Sequence, residues 1–272
     1  MELKNKTVIV TGAGGGIGAG IAVVLGRKGA NVVVADQHIE RAREVVEEIV
    51  SSGSRALPLE ADVTRKAAIE EMVATTIKNF GGVDILVNNA GIQAPPALAK
   101  DISEEQWDRV LSVNLKGVFL CCQAVIPAMM AKGKGRIINI GSIAAIRMTF
   151  LGSIDYTVSK HGVAGLTQHL AWELADHHIT VNAICPGLVF TPLVEGRMTP
   201  QLREIYTRRI PLGRFTNTQE IGEAVSFLAS DHAEMITGQF LSVDGGLLTG
   251  FGEDLRAVVK QGMGETKAKA HG

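Results

Sequence analysis

The chain alternates short runs of β-branched residues with longer stretches in which apolar positions recur at helical spacing. Thr7–Thr11 (TVIVT) is a continuous apolar run, the pattern of a strand covered on both faces. Ile17–Lys28 reads as a helix and Asn31–Ala35 (NVVVA) as a second buried strand. Glu40–Val50 predicts an amphipathic helix, with Ile39, Ala42, Val45, Val46 and Ile49 on one face. Ala56–Leu59 is a weaker strand, Lys66–Asn79 a helix and Asp84–Val87 (DILV) a fourth strand. Ser103 is placed to cap a long helix, with Glu104, Glu105 and Gln106 in its first turn. Arg136–Ile140 (RIINI), Thr180–Ile184 and Phe240–Val243 complete the strands, and Tyr156–Ala175 and Thr218–Ala229 the helices.

Such alternation implies α/β architecture: a parallel sheet with helices on both faces, which right-handed crossovers make doubly wound, or Rossmann-type. The expectation is a single domain over residues 1–251 with a C-terminal tail at 252–272. Thr191–Leu212 falls outside the alternation. It carries Pro192, Pro200 and Pro211 and many charges, and the expectation there is a mobile lid.

Composition narrows the function. An apolar fraction of 46% with 20% charged residues excludes a disordered chain. A net charge of −1 without a basic block argues against a nucleic-acid or anionic-membrane partner. The charge-free apolar stretch Gly117–Ala131 is shorter than the ~18 residues a membrane span needs, and the N-terminus lacks a signal-peptide pattern. Cys121, Cys122 and Cys185 are odd in number and show no zinc spacing, and the histidines show no metal spacing. The expectation is a reduced, cytoplasmic protein with no metal.

Candidate chemistry begins after the first strand. In Thr11-Gly12-Ala13-Gly14-Gly15-Gly16-Ile17-Gly18 a strand gives way to a helix through glycines. Such a turn lets backbone N–H groups approach a pyrophosphate at a helix N-terminus. Asp36 ends the second strand, where a carboxylate accepts hydrogen bonds from ribose hydroxyls and repels a 2′-phosphate. Gly15 rather than a basic residue precedes Gly16, and Gln37 follows Asp36, although His38 and Arg41 are near. NAD (NAD+/NADH) is therefore preferred over NADP.

Tyr156-Thr157-Val158-Ser159-Lys160 puts a phenol and an ammonium at i and i+4 on one helical face. An ammonium beside a phenol stabilises the phenolate, lowering a pKa of ordinarily about 10 toward the range of a general acid/base. Ser142 follows the fifth strand, at the carboxyl edge where open α/β sheets bind ligands. Asn114 lies in the long helix after the fourth strand, which Asn88-Asn89-Ala90-Gly91 closes. Pro186-Gly187 closes the sixth strand, with Thr191 beyond.

Taken together, these residues and motifs resemble the short-chain dehydrogenase/reductase family. The likeness runs from about Lys6 to Gly246. It rests on TGAGGGIG (11–18), Asp62-Val63, NNAG (88–91), Asn114, Ser142, YTVSK (156–160), the Pro186–Thr191 segment and VDGG (243–246). The resemblance implies hydride transfer between NAD(H) and a secondary alcohol or ketone. Tyr156 would exchange a proton with the substrate oxygen and Ser142 would hydrogen-bond it. Lys160 would hold the nicotinamide ribose and lower the Tyr156 pKa, and Asn114 would hold a water linking Lys160 to solvent. Gly12, Gly16, Ile17, Gly18 and Asp36 would bind the cofactor, with Asp62 and Val63 at the adenine. Asn89, Ala90 and Gly91 would line its adenosine side, and Pro186, Gly187, Val189 and Thr191 its nicotinamide side. It also implies a homotetramer built on helices Ser103–Ala131 and Tyr156–Ala175, with a dimer as the alternative.

Two departures stand out. The Ser142–Tyr156 spacing is one residue longer than the family pattern, which makes Ser153 a rival to Ser142. Asp155 precedes Tyr156 and reads as a helix N-cap. Gln93, Ala94, Ala144, Arg147–Leu151, Leu188 and the segment from Leu193 onward are expected to face substrate. They are mostly apolar, with Arg147 and Arg197 as carboxylate-binding candidates. Trp107 and Trp172 read as packing residues. A nucleotide-sensing protein of the same fold is the competing class; it has no use for Asn114, Ser142, Tyr156 and Lys160 together.

Overall fold

In the computed structural model the described residues are 3–148, 152–195 and 198–249. Seven strands form one sheet: β1 Thr7–Thr11, β2 Asn31–Asp36, β3 Ala56–Glu60, β4 Ile85–Asn88, β5 Gly135–Ile140, β6 Ile179–Pro186 and β7 Phe240–Val243. Every neighbouring pair is parallel, in the order β3-β2-β1-β4-β5-β6-β7. The helices are α1 Gly16–Arg27, α2 Ile39–Ser51, α3 Lys66–Phe80, α4 Glu104–Leu111, α5 Gly117–Lys132, α6 Ile154–Glu173, α7 Pro192–Glu195, α8 Pro200–Arg209 and α9 Thr218–Ala229.

The apolar runs are continuous because each strand feeds two cores. Val8, Val10, Val32, Val34, Ile85 and Val87 pack with α1, α2 and α9 on one face. Ile9, Val33, Leu86, Ile137 and Val181 pack with α3, α5 and α6 on the other. This is the period-2 alternation of side chains across a sheet covered on both sides. The chain reverses its direction of growth after β3, so β1 and β4 become neighbours at the switch point outside which open α/β sheets leave a crevice.

Three expectations change. The long helix after Ser103 is two helices joined by a π-turn at Ser112–Lys116, which contains Asn114. The N-cap of α6 is Ser153, not Asp155, which lies inside the first turn. Trp172 is 83% exposed rather than packed, while Trp107 is half-buried. The run Glu104–Lys132 has the length and apolarity of a membrane span. Its Cys121, Cys122, Val125 and Met129 are nevertheless buried against the sheet, as in the core helix of a globular domain. Thr191–Leu212 contains α7 and α8. Phe150, Leu151, Arg197 and the tail 252–272 lie outside the described residues.

Candidate active site

The crevice between β1 and β4 is walled by the glycine loop and by NNAG. Asn89 donates through Nδ2 to the carbonyls of Thr11 and Gly12 at 3.0 and 2.9 Å. The Thr11 hydroxyl accepts from the backbone N–H groups of Asn89 and Ala90, both at 3.1 Å. Gly12 sits at φ +62°, and a Cβ there would meet the Ala90 backbone at 2.7 Å. A Cβ on Gly18 would lie 2.3 Å from the Gly12 carbonyl. Glycine is thus demanded at Gly12 by conformation and crowding, and at Gly18 by crowding alone.

The far side of the loop is open. A Cβ on Gly15 would meet nothing within 4 Å, and one on Gly16 only the Thr191 methyl at 3.9 Å. No side chain caps α1. The N–H groups of Gly16, Ile17 and Gly18 are among those a helix leaves without an internal partner, and the helix dipole favours an anion there. These features fit a dinucleotide pyrophosphate.

Asp36, at the end of β2, accepts from the Gly14 N–H at 2.9 Å and from the His38 N–H at 3.0 Å. It is half-buried, beside the loop. Asp62 and Val63 follow β3 on the same sheet edge. Asp62 accepts from the backbone N–H and hydroxyl of Thr64 at 2.9 and 2.8 Å. Val63 is buried against Gly117. Past β6, Gly187 donates to the Val243 carbonyl at 3.1 Å, and a Cβ there would clash with Asp244 at 2.8 Å. Asp244 in turn caps the VDGG turn, accepting from Gly246 and Leu248, each at 2.9 Å. Val189 pairs with Thr216, and buried Thr191 lies over Gly16.

Ser142, Tyr156 and Lys160 meet at the carboxyl ends of β5 and β6. The Ser142 hydroxyl accepts from the Ala144 N–H at 3.1 Å and lies close enough to the Tyr156 phenol to pull its pKa down. The extra residue between them leaves Ser142 within electrostatic reach of the phenol. Ser153 is instead occupied as the N-cap and bonds Asp155, which removes it as a rival. Lys160 is buried and donates to the Ile140 carbonyl at 2.9 Å, with Nζ 5.7 Å from the centre of the Tyr156 ring. Asn114 is fully buried. Its amide accepts from the Ile92 N–H at 2.8 Å, donates to the Ile92 carbonyl at 2.9 Å and donates to Ser159 at 3.2 Å. The π-turn thereby grips the segment after NNAG. Gly91 lies between Asn114 and Lys160.

Burial sets the electrostatics. Desolvation lowers the Lys160 ammonium to about 8. The Tyr156 phenol is raised above its ordinary value, chiefly by desolvation, against a smaller pull downward from the Ser142 hydrogen bond. This is opposite to the direction expected of a phenol beside Lys160, whose ammonium is engaged by Ile140. Cys185 carries no role in the sequence analysis beyond that of a reduced thiol. It borders this cluster: burial raises its thiol to about 11, against smaller downward pulls from the Ser142 backbone and the Lys160 ammonium. The sequence signal was its place one residue before Pro186-Gly187.

Gln93 and Ala94 line a cavity of about 470 Å³ together with Ile92 and Pro95, closed on the α4 side by Glu105, Gln106, Arg109 and Val110. The α4 residues were not foreseen there, because nothing local says that the first turn of α4 faces the strand-end loop. Ala144 and Leu188 are buried, and Met148 is exposed. Among the described residues, no group of three His, Cys, Asp or Glu could hold a metal.

Comparison with known proteins gives a consistent picture. The family profile described as Enoyl-(Acyl carrier protein) reductase matches residues 12–248. The 3-oxoacyl-[acyl-carrier-protein] reductase of Thermotoga maritima is 39% identical over 248 residues, covering 91% of this chain and 100% of that protein. A putative short-chain alcohol dehydrogenase from Sinorhizobium meliloti superposes with a TM-score of 0.88 at 37% identity, over 92% of this chain and 99% of that one. A putative 2-deoxy-d-gluconate 3-dehydrogenase from Agrobacterium tumefaciens, with bound NADP, has a TM-score of 0.84 at 38% identity, over 92% and 98%.

Proposed function

This chain belongs to the short-chain dehydrogenase/reductase family, and from that premise we propose that it is an NAD-dependent oxidoreductase acting on a secondary alcohol or its ketone. The observation that carries the reading is the juxtaposition of Ser142, Tyr156 and buried Lys160, whose Nζ lies 5.7 Å from the Tyr156 ring centre, at the carboxyl ends of β5 and β6. The nicotinamide, when bound, supplies the hydride acceptor or donor.

In this reading the chain supplies position and a proton path. The glycine loop holds the pyrophosphate on Gly16, Ile17 and Gly18, and Asp36 receives the adenosine ribose hydroxyls. Asp62 and Val63 flank the adenine, Asn89, Ala90 and Gly91 the adenosine side, and Pro186, Gly187, Val189 and Thr191 the nicotinamide side. Lys160 turns its ammonium to the second ribose. Ser142 orients the substrate oxygen and Tyr156 exchanges a proton with it: in oxidation the phenolate takes the hydroxyl proton as hydride leaves the carbon. Asn114, which fixes Ile92 and Ser159, would hold a water that links Lys160 to solvent. The segment 191–212 acts as the lid, and Ile92–Pro95 with Val110 gives the substrate an apolar wall. We further place the enzyme in the cytoplasm, where its three cysteines stay reduced. We assign it a homotetramer that covers Phe119, Met130, Ile154 and Val158, which are exposed on α5 and α6.

A second reading, reduction of a 3-oxoacyl thioester with NADP, is favoured by the name of the T. maritima relative and by the NADP in the A. tumefaciens structure. Arg41 beside Gly14 is the cation it would use for the 2′-phosphate. One absorbance screen at the reduced-nicotinamide band separates the two. Secondary alcohols, sugars, hydroxy acids and 3-hydroxyacyl thioesters are each run with NAD+ and NADP+. Turnover of a simple alcohol with NAD+ supports the first reading; turnover only of thioesters with NADP+ replaces it. Tyr156→Phe is expected to lose roughly 10²–10⁴-fold in kcat, the size of a lost general acid/base, with cofactor affinity nearly unchanged. Binding of NADH without turnover of any substrate would instead support a nucleotide sensor.

A further inference from the structure

The face of α6 next to the catalytic one is wired to the preceding helices. Tyr156 and Lys160 form one i,i+4 pair; Asp155 and Ser159, each one position earlier, form a second that faces α4 and the π-turn. Asp155 is fully buried. One carboxylate oxygen accepts from the Gln106 side chain of α4 at 2.8 Å. The other accepts from the Ser153 hydroxyl and, at 2.7 Å, from the backbone N–H of Tyr156 itself. Ser159 receives the Asn114 amide and donates to the Tyr156 carbonyl at 2.7 Å. Both backbone polar groups of Tyr156 are thus held by side chains anchored outside α6. Gln106 is fixed in turn, because its own N–H is bonded by the α4 cap Ser103 at 3.2 Å.

We propose that Asp155 and Gln106 are a positioning pair that sets where the Tyr156 phenol stands against Ser142. The Tyr156 N–H lies in the first turn of α6, among the groups a helix leaves without an internal partner. Asp155 supplies that partner, and Gln106 decides where Asp155 sits. Burial pushes the Asp155 carboxyl up, but the hydrogen bonds from Ser153, Gln106 and the Tyr156 N–H prevail and hold it below its ordinary value. The pair therefore works as a carboxylate with three donors rather than as an acid. Gln106 also lines the 470 Å³ cavity, so the same side chain borders the proposed substrate wall and steadies the proposed general acid/base.

The inference deepens the oxidoreductase reading and rests on it. The test uses the full chain with Asp155→Ala, Asp155→Asn and Gln106→Leu, the last on a separate helix in case the first fails to fold. Displacement of a reacting group by ~1 Å costs about 10²-fold. That loss in kcat is expected for Asp155→Ala and Gln106→Leu, with the NADH dissociation constant within about twofold of native. Asp155→Asn should restore most of the rate, since its oxygen can still accept the Tyr156 N–H while the Gln106 amide turns over to meet its NH₂. A Gln106→Leu variant with native kcat overturns the proposal, whatever its melting temperature. Hydrogen exchange at the Tyr156 amide reads the same contact without turnover. It should be protected in the native chain and exchange at least tenfold faster in Asp155→Ala and Gln106→Leu, a conservative figure for a lost charge-assisted hydrogen bond. Unchanged protection in Gln106→Leu overturns the proposal even if the native protein is silent in the screen, a silence that counts against the oxidoreductase reading alone.

Discussion

Asp36 accepts one backbone N–H with each carboxylate oxygen, from Gly14 and from His38, and keeps further lone pairs on both. It therefore braces the glycine loop and remains able to accept ribose hydroxyls. Asp36→Ala should weaken NADH about tenfold or more, the worth of a hydrogen bond to a charged group, and should narrow or reverse the gap to NADPH. Fluorescence titration with both nucleotides checks this; an unchanged preference would mean that Arg41 or another group reads the ribose. At this scale most of the candidate site was legible. Tyr156 and Lys160 are carried by their i,i+4 spacing, Ser142 and Asn114 by their place after strands and by the family resemblance, and the fold brings the four into one neighbourhood. Asp155 was misread because aspartate is a good cap and nothing nearby announces Gln106, 49 positions earlier, as its partner. The direction of the Tyr156 shift was misread for a related reason: spacing brings Lys160 near, but burial and the Ile140 carbonyl decide what the ammonium does.

Among the elements, β1, β7, α3 and α9 start where their patterns say, because apolar periodicity and turn residues bound them. Asn217 and Glu220 even form a reciprocal capping box on α9. The π-turn was invisible, since its cause is not in its own sequence. Asn114 pairs with both polar groups of Ile92, a contact 22 residues back, and the helix takes up an extra residue there. Such bulges recur at functional sites. The loop between β1 and α1 gives the sharpest element-level prediction. Gly18→Ala would drive a methyl to 2.3 Å from the Gly12 carbonyl and 2.4 Å from the Asn89 amide, both backbone-anchored. The loop must open, and NADH affinity is expected to fall at least tenfold. Circular dichroism should meanwhile show the helices intact. Native affinity in that variant would show that the loop tolerates the shift.

For the whole molecule, alternation alone yields a doubly wound parallel sheet, but not the reversal after β3 that makes β1 and β4 neighbours, because strand order has no local signal. Burial on this scale also fixes the alkaline limit. All three thiols are held above their ordinary value of 9.0, mainly by desolvation, Cys122 to about 12 and Cys185 to about 11. A thiol raised in the folded state contributes stability that is present below its unfolded pKa and lost as pH climbs through the folded one. Lys160, lowered to about 8, works in the opposite sense between 8 and its ordinary 10.5, while the raised Tyr156 phenol adds to the thiols above 10. The melting temperature should therefore fall as pH rises from 9 toward 11, and fall less steeply in a Cys121→Ala/Cys122→Ala variant. A flat profile in the native protein would contradict the assignment. The crevice between β1 and β4 has, finally, a history in time. Thr11 and Asn89, which knot its two walls together, stand 78 residues apart in the chain. Closing so long a loop demands more lost entropy than any helix or the β1–β2 contact nearby in sequence. A refolding chain thus raises most of its helices before it owns a crevice, and a dinucleotide lying across that seam would act as a clasp on a contact the chain finds late.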